Sequence, residues 1–467
     1  MLSGNFICAG AERCSFDRHV PAPYFRRSFL LSKKQPAQVT VCGLGFYELW
    51  INGARITRGR LAPYISNTDD MVYYDKYDLT PYVREGENVI GLLLGNGLQN
   101  NVGGGEWRLD RAPFTSQPKL ALHFSADELR FEADSRFLTA PSPILFDDYR
   151  CGEFYDARLE KPGWNQPGTD PSGWKPAVPC PAPKGKKAYC TAEPIRCFAE
   201  RKPVSIRQQG DGFLYDFGQN DAGLCRLTIR GTPGQEVTLR HGEMLKDGQF
   251  YNDNLLFQPP ASRPTDRYTC KGGAEEQYTP FFTYHGFRYV LVTGITPQQA
   301  SDKLLTFLPM HSDLETVGSF TCSDPMINRI QELCVRSTLS NFFYFPNDCP
   351  QREKNGWTAD AALSCEQTLM NFAAEKSLSV WMQNVCRAQN EQGALPGIVP
   401  TGGWGFDWGN GPAWDCVITT IPYFVNRYTG DRRIMADAAG TVLKYLQYLD
   451  SRKDENGLLA IGLGDCV

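Results

Sequence analysis

Two β-sandwich domains followed by a helical domain is the architecture the sequence predicts, and three observations carry it. At 467 residues the chain exceeds one hydrophobic core and divides into about three domains. From about residue 20 to 300 the apolar residues alternate with a period of two, and after Ser312 the period becomes about 3.6. Between two strand-rich parts lies GWNQPGTDPSGWKPAVPCPAPKGKK, residues 163 to 187, crowded with Pro and Gly. The expected division is a first sandwich over 1–160, a Pro/Gly-rich linker over 161–190, a second sandwich over 191–308 and a helical domain over 309–467.

The strands follow in order. Gln38–Val41 leads to Phe46–Ile51, then Asn52–Gly53, then Ala54–Ile56. Asn-Gly between such runs predicts a tight hairpin, because both residues tolerate positive φ. Further strands are expected at Asn88–Leu94, Lys119–Phe124, Cys225–Arg230, Glu236–His241 and Tyr289–Val292. YDFGQNDAG (215 to 223) and HGEMLKDG (241 to 248) read as turn-rich loops between strands. In the last part Ser323 is the expected cap of a helix that has Pro325 near its start, with Ile327, Ile330, Leu333 and Cys334 as its apolar stripe. Four more helices are expected at 357–372, 375–390, 416–429 and 432–449. Helices joined by elaborate Gly- and Trp-rich loops fit an α/α toroid and fit an ordinary bundle as well.

The bulk composition narrows the function. With 48 basic and 52 acidic side chains the net charge is -4, which asks for neither nucleic acid nor an anionic membrane. No P-loop or GxGxxG pattern occurs, so no nucleotide cofactor is implied. The N-terminus MLSGNFICAGAERCSF lacks the basic start and apolar run of a signal peptide. The 16 Cys are scattered without a CxxC pair, so they read as reduced thiols of a cytoplasmic protein.

Histidine is informative by its placement. The five are His19, His123, His241, His285 and His311, so the helical part has none and can hold neither a His-dependent nucleophile relay nor a His-ligated catalytic zinc. Carboxylates remain, and DCPQREKNGW at 348 to 357 concentrates them with a Trp just before a helix. Asp348 precedes the helix, since Pro350 follows closely and biases its surroundings away from α. Asp360 falls one turn inside, three residues after Trp357 and on its face. Glu353 projects from the loop between them, and clustered carboxylates raise one another's pKa enough to keep one protonated as a general acid. Arg352 could hold a sugar hydroxyl or steady Asp348. The blander reading is a capped helix with surface ion pairs. A second cluster, GGWGFDWGNGPAWD at 402 to 415, sets three Trp and two Asp among glycines. Indole faces with adjacent carboxylates suit sugars, and packing under the next helix is the competing reading.

These segments also resemble a known family. DCPQREKNGWTADA (348 to 361), GPAWDCVITTIPYFVNRYTGDRRIM (411 to 435), YDAR (155 to 158), HGEML and YHGFRYVLVTG (284 to 294) are similar to bacterial α-L-rhamnosidases, glycoside hydrolase family 78. The resemblance implies two β-sandwiches, then an (α/α)6 six-hairpin barrel carrying the site, and a rhamnose-containing glycoside as substrate, with no cofactor or metal. It implies Glu353 as proton donor and Asp348, Arg352, Trp357, Asp360, Trp414 and Asp415 around the sugar. Many members read RDERLGW where this chain reads REKNGW. Alignment back from Gly356–Trp357 puts Glu353 at the acid position, whereas alignment forward from Asp348 would put Lys354 there, and a Lys could not serve.

The family inverts, so a second carboxylate must activate water roughly 6.5–9.5 Å from the acid. The resemblance places that base late in the barrel, beyond the five helices expected here, and Asp465 is the only acidic residue of the last ten. The expectation is therefore an incomplete barrel that is inactive by itself. A rhamnoside-binding fragment without catalysis, and a six-hairpin glycosidase for another sugar, are the alternatives. No oligomeric state is implied.

Overall fold

The structure is a computed structural model that describes residues 2–102, 107–255, 263–406 and 409–463. Two compact units emerge: one holds most of residues 1–310, and the other joins 107–113 and 191–196 to the chain from His311 onward.

The first unit opens with a sandwich. One sheet runs Val178–Cys180, Phe6–Cys8, Lys119–Ala126, Ala37–Leu44, Met71–Asp78, Lys186–Tyr189. The other runs Lys175–Pro176, Leu138–Pro141, Pro23–Leu31, Gly86–Gly95, Phe46–Ile51, Ala54–Arg55. Their inward residues, among them Phe25, Val39, Val41, Leu49, Leu92, Leu122 and Phe124, form one core. The expected hairpin is present: Asn52 and Gly53 have φ of 52° and 86°, and Asn52 Oδ1 accepts the Val89 amide at 2.8 Å.

The Pro/Gly-rich stretch 161–190 is more than a linker. Its three short strands, at 175–176, 178–180 and 186–189, pair with Leu138–Pro141, Phe6–Cys8 and Met71–Asp78. Two of them contain Pro, which a strand tolerates where the missing N–H faces no partner, and periodicity does not register strands this short.

In the second β domain the 18-residue strand Gly212–Ile229 pairs in turn with His285–Thr293, Leu305–Ser312 and Glu276–Tyr278. The segment expected as a loop at 215–223 lies inside this strand, with a register shift between Asp216 and Asp221. A bulge inserts polar turn-like residues without ending the strand. The segment 241–248 likewise begins as strand, with His241 fully buried in Glu236–Gly242, and continues into the hairpin Met244–Lys246/Gln249–Tyr251.

Strands Ile144–Asp148 and Gly152–Asp156 also depart from the expected boundary at 160. They extend the second domain's sheet, where Gly152–Asp156 runs parallel to Thr265–Thr269. Glu153 explains the choice. It is fully buried, and it accepts the Tyr278 hydroxyl at 2.9 Å and the amides of Phe281 and Phe282 at 2.9 and 3.0 Å. Gly152, at φ 139°, is required beside it: a Cβ there would lie 1.9 Å from Thr265 O.

The second unit is helical: α1 (Pro325–Ser340), α2 (Thr358–Asn371), α3 (Glu375–Ala388), the single turn α4 (Pro412–Asp415), α5 (Val417–Thr429) and α6 (Arg433–Asp450). Helices α2, α3 and α6 pack around α5, with Leu369, Leu378, Trp381, Val385, Ile418, Ile421, Val425 and Ile434 buried. The cap of α1 is Asp324, whose carboxylate accepts the Met326 amide at 2.8 Å, and not Ser323. Ile327, Ile330 and Leu333 of its apolar stripe are exposed. α1 reaches α2 through polar bonds instead, Gln331 to Asn371 at 2.6 Å and Thr338 to Gln367 at 2.8 Å. Among the described residues no helix is long and apolar enough to cross a membrane.

Replacing Glu153 by Ala would leave three buried donors without an acceptor. Denaturant unfolding of that variant should show a loss of about 3 kcal/mol.

Candidate active site

Between Phe345–Pro346 and α2 the chain forms a loop whose ends are tied together. The Asp348 amide donates to Asn355 O at 3.1 Å, and the Asn355 amide donates to Asp348 Oδ1 at 2.9 Å. Inside that ring the Lys354 amide donates to Cys349 O at 3.1 Å, with Lys354 at φ 54°. A left-handed lysine is costly, and the closed loop around it is what enforces the conformation. Gly356 then presses against the neighbouring segment: a Cβ would lie 2.2 Å from Val399 O. The Val399 amide bonds Gly356 O, and the Thr358 amide bonds Gly397 O, both at 2.9 Å. The loop is thereby fixed to 397–399 on one side and to the start of α2 on the other.

This scaffold collects the acidic residues expected from the sequence. Glu353 is 8% exposed; Arg352 Nη2 donates to its Oε1 at 2.8 Å and Trp357 Nε1 to its Oε2 at 2.7 Å. Lys354, the competing position, is buried. The carboxylates of Asp348 and Glu353 and the thiol of Cys349 lie within 4.8 Å of one another. Burial, then the charge of Glu353, pushes the Asp348 carboxyl up to about 8, with Asp360 adding to the rise. Asp360 sits half-buried in the first turn of α2, where the positive end of the helix favours a carboxylate.

Aromatic residues stand beside the carboxylates. The Trp357 ring centre lies 5.1 Å from that of Trp414 and 6.2 Å, edge to face, from that of Trp404. Trp414 Nε1 is anchored on Leu463 O at 2.6 Å. Asp415, expected around the sugar, lies buried. It is 2% exposed, its carboxyl faces Tyr445 and Asn410, and burial pushes it up to about 7. As the last residue of the α4 turn it points into helix packing, next to α6. Asp407, Trp408 and Asp465 lie outside the described residues.

Sequence reasoning missed two members of the site. Asn355 closes the loop through its backbone, which no side-chain pattern reveals. Cys349 donates its thiol to Asp348 Oδ2 at 2.8 Å and accepts the Glu353 amide at 3.2 Å. Asp348, Cys349 and Glu353 also form one of two donor sets with metal-like spacing among the described residues. Burial and Asp348 hold the Cys349 thiol well above its usual range, which disfavours the thiolate a soft metal takes. The other set is His241, Asp266 and His285, wholly buried in the second β domain. Its two rings stack at 4.1 Å and 23°, and both face Asp266, His285 Nε2 at 3.1 Å and His241 Nε2 at 3.8 Å from Oδ2.

The sequence also matches three family models in succession. Residues 32–199 match the α-L-rhamnosidase N-terminal domain, 206–311 the bacterial α-L-rhamnosidase concanavalin-like domain, and 315–467 the bacterial α-L-rhamnosidase 6 hairpin glycosidase domain. The chain belongs to the bacterial α-L-rhamnosidase family. A protein of Streptomyces avermitilis named alpha-L-rhamnosidase is 33% identical over 456 residues, which is 95% of this chain and 43% of that one. A solved α-L-rhamnosidase from Dictyoglumus thermophilum superimposes with a TM-score of 0.90 at 31% identity, covering 99% of this chain and 52% of that one. The Streptomyces avermitilis α-L-rhamnosidase solved with L-rhamnose gives 0.89 at 31% identity, covering 96% and 43%. The chain thus spans about half the length of these rhamnosidases.

Gly356 is the tightest point of the loop. Gly356→Ala should push the loop from 397–399 and lower stability by about 1–3 kcal/mol, read by thermal melting.

Proposed function

We propose that the protein hydrolyses terminal, non-reducing α-L-rhamnose residues from glycosides, with Glu353 giving the proton to the glycosidic oxygen. The observation that carries this is the carboxylate pair Asp348 and Glu353, within 4.8 Å, set beside the indoles of Trp357, Trp404 and Trp414. Burial and the charge of Glu353 raise the Asp348 carboxyl to about 8, so a proton stays on Asp348 beside Glu353 at neutral pH. Asp348 and Asp360 accept hydroxyls of the sugar, Arg352 steadies Glu353, and the indole faces take the apolar C–H surface. The Streptomyces avermitilis relative solved with L-rhamnose supports the choice of sugar.

The reaction proceeds with inversion in this proposal, and the carboxylate that activates water comes from outside these 467 residues. Two observations support that placement. The chain spans about half of its relatives, and apolar side chains stand exposed on helix faces, Ile327, Ile330 and Leu333 on α1 and Leu443 and Leu446 on α6. The 467 residues alone then bind rhamnosides without turning them over. The free thiols of every described cysteine support a cytoplasmic setting.

The test is hydrolysis of an aryl α-L-rhamnoside by the protein at its natural length. Glu353→Gln should lower kcat by about 10²–10⁴, and aryl glycosides of glucose and glucuronic acid should be poor substrates. Proton NMR should show the β anomer of rhamnose first; retention would sink the inverting mechanism, and an unimpaired Glu353→Gln enzyme would remove Glu353 as the acid. The rate should fall as pH rises through about 8, where the Asp348 carboxyl ionises beside Glu353.

A further inference from the structure

The thiol of Cys349 touches both members of the carboxylate pair and has no part in the proton transfer proposed above. Its S–H donates to Asp348 Oδ2 at 2.8 Å, and its sulfur accepts the backbone amide of Glu353 at 3.2 Å. Its own carbonyl accepts the Lys354 amide at 3.1 Å, closing the turn that carries Glu353. We propose that Cys349 is a positioning residue for the rhamnosidase reaction, setting the separation of Asp348 and Glu353 and orienting the Asp348 carboxylate by a thiol hydrogen bond; the proposal rests on the functional reading given above.

The geometry gives each half of the thiol a distinct task. As donor it fixes one oxygen of Asp348, while the Asn355 amide fixes the other at 2.9 Å. Asp348 is thus held in one rotation, with its two oxygens on two different donors. As acceptor the sulfur pins the peptide of Glu353, so the side chain leaves the loop toward Trp357 Nε1 and Arg352 Nη2. The donor role requires a protonated sulfur. Burial and the adjacent Asp348 supply that by raising the thiol well above its usual range, so Cys349 is not a nucleophile here. The groups that bear on its titration are Asp348 and Glu353, and Asp360 acts in turn on Asp348; the segment packed against the loop contributes the uncharged Gly397, Ile398 and Val399.

Removing the S–H also has a signed electrostatic consequence. The bond from Cys349 favours ionised Asp348, against the burial that raises it to about 8. Loss of the donor therefore moves the titration of Asp348 upward. Serine keeps an O–H donor and acceptor at the same place, and alanine keeps neither.

The experiment compares Cys349→Ala and Cys349→Ser in the protein at its natural length, with aryl α-L-rhamnoside hydrolysis across pH, L-rhamnose titration and thermal melting on each. Cys349→Ala should lower kcat about tenfold or more, leave KM within about threefold and shift the alkaline limb of the rate upward by about half a unit or more. Cys349→Ser should restore kcat to within about threefold and return the limb to its wild-type position. Equal losses in both variants at an unshifted pH profile would reduce Cys349 to packing and overturn the proposal, as would wild-type behaviour of Cys349→Ala. If Cys349→Ala behaves as wild type while Glu353→Gln is inactive, the positioning role alone fails. A wild-type protein that neither binds nor cleaves rhamnosides overturns the functional reading and this one with it.

Discussion

Two carboxylates within 4.8 Å of each other repel, and the loop from 347 to 357 is built around holding them there. The restraint is mostly backbone. Asp348 and Asn355 close the loop by two hydrogen bonds, Lys354 adopts a left-handed conformation inside it, and Gly356 lies too close to Val399 for any side chain. Burial and the charge of Glu353 are relieved by keeping a proton on Asp348, whose carboxyl rises to about 8. Trp357 links the same loop to chemistry, since its indole N–H bonds Glu353 and its ring meets Trp404 and Trp414.

The opposed charges and Trp of DCPQREKNGW mark out the candidate site in the sequence because a solvated surface has little use for that mixture. Glu353, Asp348, Arg352 and Trp357 are brought together by the loop they share. Asp360 follows from helical periodicity alone. What stayed illegible depends on contacts beyond the segment. Asp415 sits among Trp and Gly residues that suggest a binding loop, yet its carboxyl turns toward Tyr445 on α6, a residue thirty positions later. Cys349 looked like one thiol among many, because only the folded loop places its sulfur between Asp348 and the Glu353 amide.

The fold divides along the same line. Period-two alternation found the strands at Phe46–Ile51 and Gly86–Gly95, and Asn52–Gly53 fixed their hairpin neighbour. Alternation names a strand without naming its sheet, and Ile144–Asp148 and Gly152–Asp156 pair with the sheet of the second β domain. Buried Glu153, with donors more than a hundred residues away, decides their partner. Helix α1 teaches a related lesson: its stripe of Ile327, Ile330 and Leu333 was correctly apolar, but amphipathic spacing does not say what covers the face, and here those residues are exposed.

The most direct measurement is a crystal structure of the protein at its natural length with L-rhamnose. The sugar is expected against Trp357, with its hydroxyls within hydrogen-bond distance of Asp348 and Asp360 and its anomeric carbon beside Glu353. Rhamnose bound away from the 348–360 loop, or an unaltered loop with no sugar at saturating concentration, would contradict the assignment of this loop as the rhamnose site.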